Sequence, residues 1–207
     1  MIFVIAPLVQ ERQTQRQWLI RALVYAISLV VTVVVFNTLL AWAAGWVQRT
    51  LGLPSAGQAV LMLLVGSFAL LYSLNEIDLL HLPLPALAIQ VPRSWATAGL
   101  YRGAAIYGAA LGGAGFITYL PFASYHTMLL WNLSVAIPLY GAALGLLYGA
   151  ARVLPVFGDA VRGAPINALV SWKDWLYSRI AVWHLLNALV LGLFGGYVVV
   201  MAIQALL

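Results

Sequence analysis

Cysteine is absent from the 207 residues. That excludes disulfides, cysteine-ligated zinc, iron–sulfur clusters and thiol chemistry. Charge is scarce as well: ten Lys and Arg with five Asp and Glu make up 7% of the chain, against about 25% in soluble domains. So few charges cannot coat a globule of this size, which excludes a cytosolic enzyme, a nucleic-acid module and a disordered tail. The formal charge is +5, but the basic residues are spread out and form no field for a nucleic acid. Apolar residues fill the chain instead, at 64%. The composition reads as an all-α, polytopic membrane helix bundle surrounded by lipid.

About 20 apolar residues cross a hydrocarbon core of roughly 30 Å. Charge-free windows place five spans in one transmembrane domain, near 22–47, 56–74, 103–120, 128–151 and 180–205. The window between Arg102 and Arg152 is too long for one helix and divides at Pro121, with an outer turn over 121–127. Pro138 then falls inside the fourth span and predicts a kink, since proline removes a backbone donor. Residues 1–9 are apolar, too short to cross, and lack the marks of a secretory signal, so they read as a packed or interfacial stub.

The basic residues orient the bundle. Arg12, Arg16, Arg21, Arg93, Arg102, Arg152, Arg162, Lys173 and Arg179 fall on one side of the five spans, and Arg49 alone on the other. The positive-inside rule then puts the N-terminus in the cytoplasm of a bacterial-type inner membrane and the C-terminus outside. The stretch 10–21 reads as a solvated extension of the first span. From Pro165, Ile166, Leu169, Trp172 and Leu176 recur at helical spacing, opposite Asn167, Ser171, Asp174 and Ser178. This predicts an amphipathic helix over 165–178 in the headgroup region, anchored by Trp172 and Trp175. A partner-docking helix is the alternative.

Small residues carry the packing signal. Tyr107-Gly-Ala-Ala-Leu-Gly112 returns letter for letter as Tyr140-Gly-Ala-Ala-Leu-Gly145. Gly108 and Gly112, then Gly141, Gly145 and Gly149, and finally Gly192 and Gly196 are spaced by four, which bares one helix face and lets backbones approach. Tight packing between the helices that bear them is the expectation; a smooth conduit or a seat for a flat cofactor is the alternative. Val199 is expected to face lipid.

Chemistry is thin. No charged residue falls mid-span, which argues against a pump or a proton-coupled carrier. Asn37, Thr38, Thr118, Tyr119, Asn132 and Asn187 are the polar residues within spans, and such groups mostly join helices by hydrogen bonds. His81, His126 and His184 are placed too far apart by topology to share a metal. His184, a short way into the fifth span beside Trp183, is the one candidate for axial ligation of a metal-centred pigment or haem.

The order of features resembles the CcdA/DsbD-type transmembrane proteins of cytochrome c biogenesis and thiol-disulfide electron transfer. An Arg-bearing segment leads into an apolar helix over 22–47. A Leu/Pro-rich linker follows at Leu79-Leu-His-Leu-Pro-Leu-Pro85 through Pro92-Arg93. A Gly-rich helix ends at Thr118-Tyr-Leu-Pro121, with Thr118 where that family has a cysteine, and Tyr148-Gly-Ala-Ala-Arg-Val-Leu-Pro155 is similar to its helix-five exit. The resemblance covers roughly 6–205 and implies that family's fold of two inverted three-helix halves. The family's first helix, with its first redox cysteine, is missing or reduced to residues 1–9, and the second cysteine is absent. Thiolate exchange needs sulfur, so the electron-carrier activity does not transfer. The expectation is a non-catalytic integral subunit or assembly factor of a larger respiratory, photosynthetic or cytochrome-maturing membrane complex, bound to other membrane subunits. A pigment, haem or quinone would come through that complex. The alternative is a small-molecule permease hinged at Pro121 and Pro138, without redox chemistry.

Overall fold

The computed structural model describes residues 15–83, 101–112, 123–161 and 178–207, with the single positions Pro92, Trp95 and Gly99. Among the described residues six helices follow in order: α1 Gln15–Thr50, α2 Ser55–Glu76, α3 Arg102–Gly112, α4 Ser124–Val135, α5 Pro138–Val161 and α6 Ile180–Leu206. Three of them are long and apolar enough to cross a membrane, over Arg16–Thr50, Ser55–Glu76 and Ile180–Leu206. The expected interfacial helix, with Trp172 and Trp175, lies outside the described residues, as do Thr118, Tyr119 and Pro121.

α1 is patterned for lipid rather than water. Leu23, Ile27, Val31, Val35 and Leu39 are exposed at every fourth residue. Ala22, Ala26, Leu29, Val33, Asn37 and Ala41 are buried on the opposite side. Large apolar side chains line the whole outer face, while alanines and Asn37 share the inner face with Leu29 and Val33, unlike a soluble amphipathic helix, whose outer face is polar. A continuous exposed apolar stripe of this kind belongs against hydrocarbon. α6 repeats the scheme, with Leu185, Leu189 and Leu193 exposed and Ala188, Leu191, Gly195, Val198 and Ala202 buried. The protein is membrane-associated through these helices.

The chain divides into two compact units. The first comprises 1–36, 86–119 and 143–178; the second comprises 37–85, 120–142 and 179–207. In the first unit Ala22, Tyr25, Ala26, Leu29 and Val33 of α1 pack with Ala104, Tyr107 and Leu111 of α3 and Val153 of α5. The glycines set the distances. A Cβ on Gly108 would collide with the Tyr25 carbonyl, and one on Gly112 with the Leu29 carbonyl. On α5, a Cβ at Gly145 would sit 2.9 Å from the Val33 oxygen, and one at Gly149 3.2 Å from the Val30 Cα. The register therefore rises with α1 along α3 and falls along α5. α3 runs parallel to α1, α5 runs antiparallel to it, and the six-letter repeat is used in both directions. The strips close on the α1 backbone, not on one another.

Arg21 and Arg152 are also placed differently from expectation. Arg21 is 1% exposed within the first unit rather than solvated. Arg152 is not in a loop, because α5 continues past it to Val161. Its Nη1 donates to the Leu111 carbonyl at 2.9 Å, and its guanidinium lies 5.9 Å from the centre of the Tyr148 ring.

In the second unit α2 and α6 are antiparallel neighbours. A Cβ on Gly66 would lie 3.0 Å from the Gly195 oxygen, and Ser73 Oγ donates to the Ala188 carbonyl at 2.7 Å. Ala69, Tyr72, Ala123 and Leu191 form the core there, and Phe194 meets Trp131 edge-on at 5.4 Å. The third glycine strip needs correction. Gly192 and Gly195 are the packed pair, while a Cβ on Gly196 meets nothing within 4 Å among the described residues. Gly192 and Gly195 share the buried face by their three-residue spacing; Gly196 lies about 100° further round. Val199 is not lipid-facing either, since its Cγ2 lies 2.8 Å from where a Gly66 Cβ would be.

Helix ends in this unit are set by left-handed residues. Gly52, at φ 59°, closes α1: Gly52 N–H donates to Arg49 and Leu53 N–H to Gln48. Asp78 does the same for α2, with its N–H on Asn75 and that of Leu79 on Leu74. The third such residue is Ala136, at φ 56° and ψ 31°, and it corrects the expected fourth span. Asn132 before it and Gly141 after it both approach Asn37, while Gln48 further along α1 donates to Leu133 and Ser134. The chain reverses at Ala136–Ile137, so a single kinked helix over 128–151 is replaced by an α4–α5 hairpin. Pro138 begins α5, where its missing N–H costs nothing. Of the expected outer turn over 121–127, Ser124–Thr127 are helical. We expect Ala136→Val to destabilise the fold by about 1–3 kcal/mol, because a β-branched side chain does not fit the left-handed region. Ala136→Gly should be tolerated; thermal melting of the purified variants measures both.

Candidate functional site

Two polar clusters stand out in the second unit, whose helices are otherwise apolar. The first is a junction of three segments. Asn132 of α4 is fully buried, and its Nδ2 donates to the Asn37 carbonyl at 2.9 Å and to the Asn37 Oδ1 at 3.3 Å. Gly141 makes the junction spatially feasible: a Cβ there would lie 2.5 Å from the Asn37 oxygen and 2.9 Å from Asn132 Oδ1. That Oδ1 is buried and receives no hydrogen bond among the described residues. Along the same helix Tyr125, His126, Thr127 and Ser134 are also buried. Thr127 Oγ1 and Ser134 Oγ donate back to backbone carbonyls of Ala123 and Trp131. Asn37 and Asn132, expected in separate spans, are thus brought together, while His126 is buried in α4 rather than placed in an outer turn.

The second cluster was not expected. Glu76, the last residue of α2, turns its side chain inward, and only 3% of that side chain is exposed. His184 Nδ1 donates to its Oε2. Asn187 Nδ2 donates to its Oε1 at 2.7 Å. His184 and Asn187 are three residues apart on α6, so they share a face and close on the carboxylate like a clamp. A buried carboxylate accepting bonds on both oxygens is the arrangement that makes such a charge tolerable. His184 is therefore committed at Nδ1 to a carboxylate, the setting that fixes a ring's orientation and tautomer.

Neighbouring contacts hold this end of the unit. Tyr72 Oη donates to the Pro83 carbonyl at 2.6 Å, and Leu82 N–H donates to Asn75 Oδ1 at 2.6 Å. His81 is exposed. Among the described residues no group of three His, Asp or Glu could hold a metal ion. A signal for the second cluster was in the sequence: His184 and Asn187 form a polar pair at helical spacing on an otherwise uncharged helix. Glu76 was hidden by its own usefulness as a boundary marker, because a charge that ends an apolar window reads as solvent-facing.

At the turn, Gly45, Gln48, Arg49, Gly52, Leu53, Val135 and Ala136 line an open hollow of about 250 Å³. It is shallow and faces outward, and the two buried clusters are separate from its lining. Comparison of the chain with protein-family models, with curated proteins and with solved structures finds no match.

Proposed function

We propose that the chain is a multi-pass membrane permease for a small polar solute, which hydrogen-bonds at the Asn37–Asn132 junction. The observation that carries this reading is the buried Asn132 Oδ1 that receives no hydrogen bond among the described residues. A buried acceptor left without a donor costs about 1–3 kcal/mol, and a solute offering an N–H or O–H relieves that cost. The glycine strips, which would otherwise argue for a partner, are consumed against α1 and between α2 and α6. No redox chemistry is part of this reading, and a degenerate scaffold of the CcdA/DsbD type remains compatible with it. In the same reading the N-terminus is cytoplasmic in a bacterial-type inner membrane.

Liposomes carrying the purified protein should take up urea or glycerol faster than protein-free liposomes, as read by light scattering. Asn132→Leu should slow uptake about tenfold, the effect of one lost hydrogen bond near 1.4 kcal/mol. Equal uptake by the variant, correctly folded, would sink the proposal.

A second reading, an integral subunit or assembly factor of a larger membrane complex, is favoured by one observation. A Cβ added to Gly196 would meet nothing within 4 Å among the described residues, and Gly196 lies between exposed Leu193 and Tyr197. Small residues on an outer helix face admit a second helix closely. Co-purification after mild solubilisation separates the two: a stable heteromer that Gly196→Leu disrupts favours the subunit, a monomer or homodimer the permease.

A further inference from the structure

We propose that Glu76, His184 and Asn187 form a proton-exchange site, in which His184 passes a proton between the surroundings and the buried carboxylate. The inference concerns a different cluster from the Asn37–Asn132 junction and does not depend on solute permeation. It rests on a gradient of burial along one hydrogen bond. The His184 side chain is 36% exposed, whereas the Glu76 side chain is 3% exposed. The imidazole therefore has a route for protons that the carboxylate lacks. Asn187 occupies Oε1, which leaves Oε2 as the oxygen presented to the ring.

The step balances. Hydronium at the exposed edge of the ring gives a proton to Nε2 of the neutral Nδ1–H imidazole, releasing water, while the Nδ1–H bond breaks and an Oε2–H bond forms on Glu76. The products are a neutral Nε2–H ring and a neutral acid; return of the carboxyl proton to Nδ1, with loss of the Nε2 proton to water, reverses the sequence. No electron moves and no other reactant is needed. A carboxyl and an imidazole joined directly are a common pairing for proton transfer. The other titratable groups on the elements packed around Glu76 are Tyr72 one turn earlier, Tyr125 and His126 of α4, Tyr197 far along α6 and Arg179 ahead of it, with Asp78 and His81 on the exposed chain beyond α2. Among the described residues the hydrogen-bond partners of Glu76 are His184 and Asn187.

The test uses the full chain in phosphatidylethanolamine–phosphatidylglycerol vesicles loaded with a pH-sensitive dye, with the membrane potential clamped by potassium and valinomycin. After an external acid step, wild-type vesicles should acidify faster than protein-free ones. Glu76→Gln and His184→Gln should slow entry on the order of a hundredfold, the lower end for loss of a positioned proton-transfer group. Glu76→Gln keeps an amide oxygen for Asn187 and a side chain of the same shape, so its fold should survive. A second measurement needs no variant. A hydrophobic carbodiimide reacts with protonated carboxyls in apolar surroundings, and peptide mass spectrometry should find it on Glu76 in acidic but not alkaline buffer. Wild-type acidification equal to that of empty vesicles, wild-type rates in both variants, or an unlabelled Glu76 would each overturn the proposal. Proton entry without urea uptake in the same vesicles would leave this site standing while the permease reading fell.

Discussion

Alanine scanning of the glycines should give a graded loss of thermal stability, steepest at Gly108 and Gly112, smaller at Gly145, slight at Gly149 and absent at Gly196. The order follows from what a new Cβ would meet. At Gly108 and Gly112 it would fall on carbonyl oxygens of Tyr25 and Leu29, which are helix backbone and cannot swing aside. At Gly145 the nearest atoms are Val33 O and Val34 Cα, both at 2.9 Å, so α5 must shift by a few tenths of an ångström. At Gly149 the nearest approach is 3.2 Å, to Val30. Overpacking costs about 1–3 kcal/mol where neighbours can adjust and more where they cannot. Leucine at Gly112 or Gly145 should be worse than alanine, because helix association in lipid depends on close contact rather than on a hydrophobic drive. Val200→Leu on the exposed face of α6 is the control and should leave melting unchanged. A flat series, with Gly112→Ala melting like Gly196→Ala, would show that α3 does not close on α1.

That graded order also marks how far the sequence could be read. The spacing of Gly108 and Gly112 announces a bare face, since a four-residue step returns to nearly the same side of a helix. Spacing carries no information about the partner, and the repeated hexapeptide suggested that its two copies met. They share α1 instead, from opposite directions, which is visible only once register is known. Gly195 and Gly196 show the same limit: adjacent letters, of which one is packed and one is open. Pro138 was ambiguous because proline suits both a kink and a helix start. What decided it was the left-handed Ala136 two residues earlier, a conformation that alanine does not advertise. Membrane character was legible throughout, being a matter of composition and of length. The polar pairs were legible as residues but not as pairs, because Asn37 with Asn132 and Glu76 with His184 are contacts across 95 and 108 positions.

His184→Leu should be strongly destabilising, and Glu76→Leu combined with it should recover most of the loss. The single substitution removes the donor on Oε2 and leaves a carboxylate that is 97% buried with Asn187 as its remaining partner. Breaking a fully buried pair costs about 3–5 kcal/mol; with His184 36% exposed, water relieves part of it, and about 2–3 kcal/mol is expected. Replacing both partners is a different experiment. Leucine at both positions removes the charge along with its need for a partner, and apolar substitutes for buried pairs are commonly neutral or stabilising. Asn187 then loses its Glu76 acceptor, which is why the recovery stops short of complete. The two substitutions should therefore couple with a sign opposite to simple addition of losses. Thermal melting in detergent of wild type, both single variants and the double variant closes the cycle. A double variant as unstable as His184→Leu alone would mean that the imidazole supports α6 by packing, and that the stranded carboxylate is not what the fold fails to tolerate.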